Sequence, residues 1–306
     1  MLYGLDIGGT KSEFAAFDKE LNRAYTHRIA TPTDNYDQFL RAIGDVVKGA
    51  DVQFGSTGSV GVGLPGIVDR SGRSFSVNVP CLTGRKVQAG LSRVLSRAVA
   101  AINDGRAFAL SEAHGGAAQG HARVSGAILG TGAVGGYYIQ GRLEAGRDGV
   151  AGEWGHLPIA ATVRERHALP LYKCGCGASG CIECYVSGPG LSRIYQHVAG
   201  SRLSVPKLVL RMRAGDALCA KAFGIWIDCL ASCFAQLVLH VNPDIIVVGG
   251  GLSRIPELYE QVPGALSRYL FADIEPPAIV RAKYGDASGV RGAAIVGAQN
   301  LQVADT

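Results

Sequence analysis

The sequence predicts an α/β fold of two domains with a ligand held between them. Three observations lead there. Strand-like runs alternate with helix-like ones, as where "GSVGVGLPGIVD" precedes "GLSRVLSRAVA", and such alternation implies helices covering sheets. The opening "YGLDIGGTKSEFAAFD" is strand, glycine-rich turn, strand, and the device returns near residue 125 as "SGAILGTGAVGGYYIQGR". Two such units half a chain apart indicate a duplicated domain with a ligand between the halves. At 306 residues the chain is too long for one small core, and two domains of ordinary size fit it.

Each element follows from local pattern. "LYGLDI" and "SEFAAFD" read as the two strands of a hairpin turned by "GGTK". "TPTDNYDQFLRAIGDVV" reads as a helix, with Thr33 or Asp34 as its N-cap. "GSVGVGLPGIVD" gives strand and turn, "GLSRVLSRAVA" a helix, and "AAINDGRAFALSEAHGG" a strand end running into a helix. After the second hairpin, the strand "PDIIVV" runs into a third glycine cluster, "GGGLS" at 249–253. "GVRGAAIVGAQNL" is an apolar helix expected to pack back on the first domain. The predicted division is 1–112, with the helix at about 288–304 returning to it, and 113–287 as a larger second domain.

Composition narrows the function. The chain is 47% hydrophobic and 18% charged, which is globular, and its 43 glycines imply many tight turns and close approaches. The 30 basic and 25 acidic residues are interspersed. A formal charge of +5 spread this way suits an anionic small ligand and gives no nucleic-acid stripe. The start "MLYGLDIGGT" lacks the basic and apolar regions of a signal peptide, and no apolar run reaches the ~20 residues of a membrane helix. The expected compartment is therefore the cytoplasm, where thiols stay reduced and disulfides among the eight cysteines are not expected.

The motifs point to phosphate chemistry. In "LDIGGTK", Asp6 ends a strand, Gly8 and Gly9 bare the backbone N–H groups for a phosphate, and Thr10 and Lys11 add a hydroxyl and a charge. Asp6 would hold Mg²⁺ through water. The plain alternative is a tight hairpin with an ordinary aspartate. "LGTG" at 129–132 repeats the device with Thr131 in the place of Thr10. Neither turn fits a Walker A loop or a GxGxxG fingerprint. "NDGR" at 103–106 sits where a strand ends and a helix begins. Asp104 there can take a proton from an attacking hydroxyl and Asn103 can bond a substrate, or either can merely cap the helix.

"GEWGH" at 152–156 brings a carboxylate and an imidazole together, and "CGCGASGCIE" at 174–183 places three cysteines in eight residues. Cys174 and Cys176 are too close in sequence for an easy disulfide, and no CxxC redox spacing is present. Three thiolates and one imidazole make a tetrahedral Cys₃His zinc site. Cys174, Cys176 and Cys181 are its thiolates; His156 is the fourth ligand, with His167 competing on sequence distance alone. Gly175, Gly177 and Gly180 let the backbone curl. Such a site is closed and structural, and would hold His156 and Glu183 in place. The alternative is three inert cysteines in a glycine-rich loop.

Taken in order, "DIGGTK", "LGTG", "GEWGH", "CGCGASGCIE" and "VVGGGLS" resemble the ROK-family sugar kinases over essentially the whole chain. "ATPTDNYDQFL", "NVP", "FALSEA" and "YGDASGVRGAA" look most like that family's bacterial N-acetyl-D-glucosamine kinase branch. The resemblance implies an actin-like (ribonuclease-H-like) fold with the active site in the interdomain cleft, assembled as a homodimer. It implies ATP- and Mg²⁺-dependent phosphorylation of N-acetylglucosamine at O6, with glucose, N-acetylmannosamine or fructose as other acceptors within the class. Asp104 matches the catalytic base. Asn103, Glu153, His156 and Glu183, joined by Gly66 and Asn78, match sugar contacts. His156, Cys174, Cys176 and Cys181 match the zinc ligands. Gly8, Gly9, Thr10, Gly130, Thr131 and Gly132 match the phosphate turns, and Gly249, Gly250 and Gly251 the adenosine side.

This chain departs from that pattern in three places. The branch usually reads D-N-D-A-N where this chain has Ile102, Asn103, Asp104, Gly105 and Arg106. Paired with Asp104, Arg106 would lower its pKa and weaken it as a base; aimed at phosphate it would help. Ala133 and Val134 stand where the family has Val and Gly, and Val134 resists positive φ, which predicts a rebuilt turn. Cys184 replaces a common Asn. A slow, sugar-binding relative is the competing reading. The family's regulators carry a helix-turn-helix ahead of the sugar domain, and here the first turn starts at residue 6.

Overall fold

The computed structural model describes residues 1–304, with side chains through Gln299. Two five-stranded sheets share one topology. The first has β1 (Leu2–Ile7), β2 (Lys11–Phe17), β3 (Arg23–Ala30), β4 (Ser59–Leu64) and β7 (Val99–Asn103), in the order β3-β2-β1-β4-β7. Between β4 and β7 lie a short hairpin, β5 (Ile67–Val68) and β6 (Ser74–Phe75), and helix α2 (Val87–Leu95). The second sheet has β8 (Arg123–Leu129), β9 (Ala133–Ile139), β10 (Arg142–Glu144), β11 (Ile245–Gly249) and β12 (Ala278–Arg281), in the order β10-β9-β8-β11-β12. In each, a central strand pairs antiparallel with the strand that follows it and parallel with a later one. The repeated strand–turn–strand motif is this pair of central hairpins.

Helix α1 (Tyr36–Phe54) begins one residue beyond the predicted caps. Asn35 is the N-cap, its side chain accepting the Gln38 N–H at 3.0 Å, and Gly55 closes the helix at φ 60°. Helix α2 stops at Leu95 with Ser96 left-handed at φ 51°, so the "AVA" read as helix opens β7 instead. The first core gathers Tyr3, Phe14, Phe39, Ile43 and Leu91 between the sheet and α1 and α2.

The second core surrounds a long helix. After α4 (Ala161–Arg166), α5 (Glu183–Val186), α6 (Gly188–Ala199) and α7 (Val205–Arg213), α8 (Ala217–Val241) runs through the lobe. It packs on α5, α6, α7 and α9 (Pro256–Ser267) through Phe223, Trp226 and Phe234. By length and composition α8 passes for a membrane span, which corrects the sequence reading, but 83% of its most apolar window is buried inside the protein. Lys221 and Asp228 interrupt its apolar run and hid it from a scan for continuous hydrophobics.

Two helices join the sheets. α3 (Asp104–Ala113) leaves β7 and packs on β8 and β9, while α10 (Ser288–Ala304) follows β12 and packs on β1, β4 and β7. α10 lies so close that a Cβ on Gly4 would fall 1.9 Å from the Val290 carbonyl oxygen, and one on Gly61 1.7 Å from that of Ala293. α3 and α10 also pack on each other. The cleft opens beside this seam.

Candidate active site

The cleft encloses about 360 Å³ and takes its walls from both halves of the chain. That is the size of a small-ligand pocket. Asp104, Gly66 and Asn78 face Glu153, His156 and Glu183, and the turn Gly130–Gly132 closes one side. Asn103 lies buried beneath them. Its side-chain oxygen N-caps α3 by accepting the Arg106 N–H at 3.0 Å. Its amide donates to the Gly66 carbonyl at 2.8 Å, to Asp104 Oδ1 at 3.1 Å and to Glu153 Oε1 at 3.2 Å. The helix-cap reading of Asn103 holds; its amide is taken up in tying the two walls, and the residue itself does not line the cleft.

Asp104 is the first residue of α3, and its Oδ1 accepts the Gly105 N–H at 2.8 Å. Burial dominates its titration. Loss of solvent lifts its pKa to about 7, the Gly105 bond pulls it down, Glu153 pushes it up, and Arg106 opposes the rise least. Arg106 does pull it down, but weakly: the guanidinium makes no close ion pair with Asp104, and loss of solvent outweighs it, so the net shift is upward. Its Nε finds no partner, and it packs against Gly136, where a Cβ would sit 2.7 Å from Arg106 Cα. Asp6, next to last in β1, is likewise raised to about 7, chiefly by loss of solvent and then by Asp104 and Glu13. Among the described residues its carboxylate accepts no hydrogen bond that would lower it.

The two phosphate turns differ in setting. Gly130, Thr131 and Gly132 line the cleft, with the Gly130 N–H bonded to the Gly132 carbonyl at 3.0 Å. Glu183, the first residue of α5, accepts the Ala133 N–H at 2.9 Å, and a Cβ on Gly132 would lie 2.6 Å from its Oε2. Val134 is a strand residue paired with Ile128 and has no positive φ, so the turn makes no backbone demand that its side chain resists. Gly8, Gly9, Thr10 and Lys11 stand at the margin and do not line the cleft. Gly9 packs on Asn78, whose carbonyl oxygen would be 2.9 Å from a Cβ there. Gly249, Gly250 and Gly251 also lie outside it. Gly249 is buried against the Phe108 ring, Gly250 presses on the Leu129 carbonyl at φ 77°, and Gly251 is open.

The cysteine run folds into a compact loop. Gly177 and Gly180 take φ of 94° and 81°, which a side chain would resist, and Cys174 N–H bonds Ala178 carbonyl at 2.9 Å. The donor atoms of His156, Cys174, Cys176 and Cys181 all lie within 4.8 Å of one another. Cys174 Sγ is 3.7 Å from His156 Nδ1, and Cys176 Sγ is 3.6 Å from Cys181 Sγ. Ligands at about 2.3 Å in a tetrahedron are separated by about 3.8 Å, so the set fits a zinc ion. His156 Nε2 stays free toward the cleft, 4.0 Å from Glu153 Oε2. His167 is elsewhere: its Nε2 lies 2.7 Å from Asp228 Oδ2, in a cluster with Arg166, Arg268 and Tyr269. Cys184 lies outside the set, bonded at 3.6 Å to the Lys173 carbonyl.

Sequence reasoning missed the apolar part of the cleft. Ile67 and Phe75, paired across the β5–β6 hairpin, join Val77 and Val134 in its lining. Only the "LPG" corner signalled that the chain turns back here, since each strand is two residues long.

The chain is similar to known proteins over nearly its whole length. The ROK family model matches residues 2–300. An N-acetylgalactosamine kinase of Shewanella sp. (strain ANA-3) is 47% identical over 297 residues, covering 97% of this chain and 96% of its own. The N-acetyl-D-glucosamine kinase of Vibrio cholerae is 41% identical, covering 97% and 99%. Among solved structures, a ROK hexokinase from Thermus thermophilus superposes with a TM-score of 0.86 at 30% identity, covering 100% of this chain and 99% of its own. A ROK glucokinase from Streptomyces griseus, solved with glucose and AMPPNP, gives 0.78 at 29%, covering 97% and 99%. The fold is thus the actin-like one of these kinases, and the chain belongs to the ROK family, as one of its sugar kinases.

Proposed function

We propose that this chain transfers the γ-phosphoryl group of ATP to the 6-hydroxyl of N-acetyl-D-glucosamine. One observation carries the assignment of the base: Asp104 faces the cleft with its pKa raised to about 7, where a carboxylate is basic enough to take a hydroxyl proton near neutral pH. As the 6-oxygen bonds to the γ-phosphorus, its proton passes to Asp104 and the β–γ bridging oxygen leaves with ADP. Asn103, Glu153, His156 and Glu183, with Gly66 and Asn78, orient the sugar. The N–H groups of Gly130–Gly132, and of Gly8 and Gly9 with Thr10 and Lys11, receive the phosphates, and Gly250 and Gly251 border the adenosine. Catalysis is then mostly positioning.

Asp6, half-buried and with no donor partner among the described residues, fits Mg²⁺, which neutralises phosphate charge when bound. The Cys₃His set fits a structural zinc, which fixes His156 so that its free Nε2 meets the sugar. The expected boundary at 112 sits badly with α3, which packs on β8 and β9 of the second sheet; we propose that the boundary lies at the β7–α3 junction, near 103, with α10 returning to the first domain, and propose a homodimer working in the cytoplasm.

The 47% identical N-acetylgalactosamine kinase favours a second acceptor, which differs from the first only in the configuration at carbon 4. Coupled ADP release with MgATP and a sugar panel, followed by NMR of the product, tests both. Faster turnover on N-acetyl-D-galactosamine would transfer the assignment to that sugar, and no turnover on any sugar by folded, metal-loaded protein would overturn it.

A further inference from the structure

We propose that Glu112 is a positioning residue for phosphoryl transfer, buckling the two chain crossings between the sheets and so setting the separation of the two phosphate turns. This rests on the kinase reading above.

Glu112 lies in the last turn of α3 and is fully buried, yet it lies outside the cleft. Both carboxylate oxygens are engaged twice. Oε1 accepts the Tyr284 N–H at 3.1 Å and the Ser288 hydroxyl at 2.6 Å, while Oε2 accepts the Ala117 N–H at 2.9 Å and the Lys283 N–H at 2.9 Å. Three of these donors belong to the second crossing, just past β12 and at the first residue of α10. Arg291 repeats the tie from the other side. Its Nη1 donates to the Ser111 and His114 carbonyls at 2.9 and 2.7 Å, and it stacks 4.1 Å from the Tyr284 ring centre. Buried charge-assisted bonds of this kind hold geometry well and cost much to leave half-made.

The consequence reaches the site through glycines. α3 is seated on the second sheet, where Cβ atoms on Gly126 and Gly136 would meet Phe108 and Arg106 at 2.9 and 2.7 Å. It therefore moves with the Gly130–Gly132 turn. α10 is seated on the first sheet, and a Cβ on Gly289, next to Ser288, would lie 2.6 Å from Asp6 Oδ2. It therefore moves with Asp6 and the Gly8–Lys11 turn. Glu112 joins the two bodies at the point where they could otherwise rotate. A misplacement of about 1 Å between the turns can cost about a hundredfold in rate.

Glu112→Gln keeps the shape but sets an NH₂ against N–H and O–H donors; Ser288→Ala removes one donor and is the milder variant. Each is compared with wild type for kcat, both KM values, the Mg²⁺ concentration giving half-maximal rate, and amide exchange. We expect kcat to fall about tenfold or more in Glu112→Gln and about threefold in Ser288→Ala, with sugar KM within about threefold and the Mg²⁺ requirement raised. Amides of residues 130–135 should exchange faster along with those of 283 and 284. Loss of thermal stability with unchanged kcat and Mg²⁺ requirement would overturn the proposal and leave a packing role. Wild type inactive on every sugar would retire the kinase reading, and exchange would still decide: faster exchange confined to 112–117 and 283–291 overturns the buckle, whereas its spread to 130–135 upholds it.

Discussion

The two sheets are built alike but moor their glycine turns differently. The Gly8–Lys11 turn is held by its own Gly8 N–H to Lys11 carbonyl bond at 3.1 Å and by Thr31 N–H on the Thr10 carbonyl at 3.1 Å, and Gly9, Thr10 and Lys11 are exposed. The Gly130–Gly132 turn is tied from outside its sheet, by Glu183 to Ala133 and by the Gly188 N–H to the Gly130 carbonyl at 2.8 Å. Glu183 and Cys181 are close neighbours in sequence, so the second turn inherits its place from the cysteine site, and the first from its own sheet and the packing of Gly9 on Asn78. A duplicated topology has been specialised by what was inserted after the second hairpin.

The largest test concerns the residue at the joint of the two lobes. Asp104→Asn should lower kcat by roughly 10²- to 10⁴-fold with little change in either KM, measured by coupled ADP release. Turnover within tenfold of wild type would move the base elsewhere and leave Asp104 as a helix-cap neighbour.

Removing the zinc proposed for the Cys₃His set separates the turns. Chelation, or Cys181→Ser, should cost roughly 10- to 100-fold in activity and speed amide exchange at residues 130–135, with exchange at 8–11 unchanged. Equal loosening of both turns would erase the asymmetry.

Acid should act through the cleft floor. Asp104 must be ionised to accept a proton, and burial has raised its pKa to about 7, so kcat/KM should be flat above that pH and fall about tenfold per unit below it. The same shift has the opposite sign for stability. Between the ordinary carboxylate range and pH 7 the unfolded chain binds fewer protons than the folded one, so ligand-free protein loses stability as pH rises through that window. Asp104→Asn should reduce that loss in a thermal melt, and an unchanged slope would show that Asp104 titrates normally.

The smallest effect discriminates within one turn. Gly132→Ala must displace Glu183 from Ala133 and should cost about 1–3 kcal/mol in denaturant unfolding. Gly130→Ala meets open space and should change stability by less than about 0.5 kcal/mol. Equal costs would mean that Glu183 does not moor the turn.

What the sequence showed, and what it hid, divide along range. The strand–turn–strand pairs, the Asp104 junction and the Cys₃His spacing are written within a few residues each, where local preference and ligand geometry act. His156 against His167 could not be decided by spacing, because the decision lies with Asp228 on α8, which takes His167 at 2.7 Å. Arg106 looked like a partner for Asp104 because they are neighbours in sequence; burial and the direction of the helix separate them. Glu112 stands in "FALSEA" and two of its donors in "YGDASGVRGAA", but nothing local joins the two motifs, since residues 283, 284 and 288 are brought near it only by the complete fold.

The seating of α10 bears on how the molecule is made. Gly4 and Gly61 leave a groove in the first sheet that Val290 and Ala293 fill with their backbone. A chain emerging from the ribosome has that sheet long before it has the helix that covers it. The first lobe must therefore wait, with one face bare, while the second is synthesised, and its contacts with α10 are among the most sequence-distant in the fold. A nascent or truncated chain lacking the segment from Ser288 onward should be the form that chaperones and proteases find, and folding of the first lobe should follow the synthesis of α10.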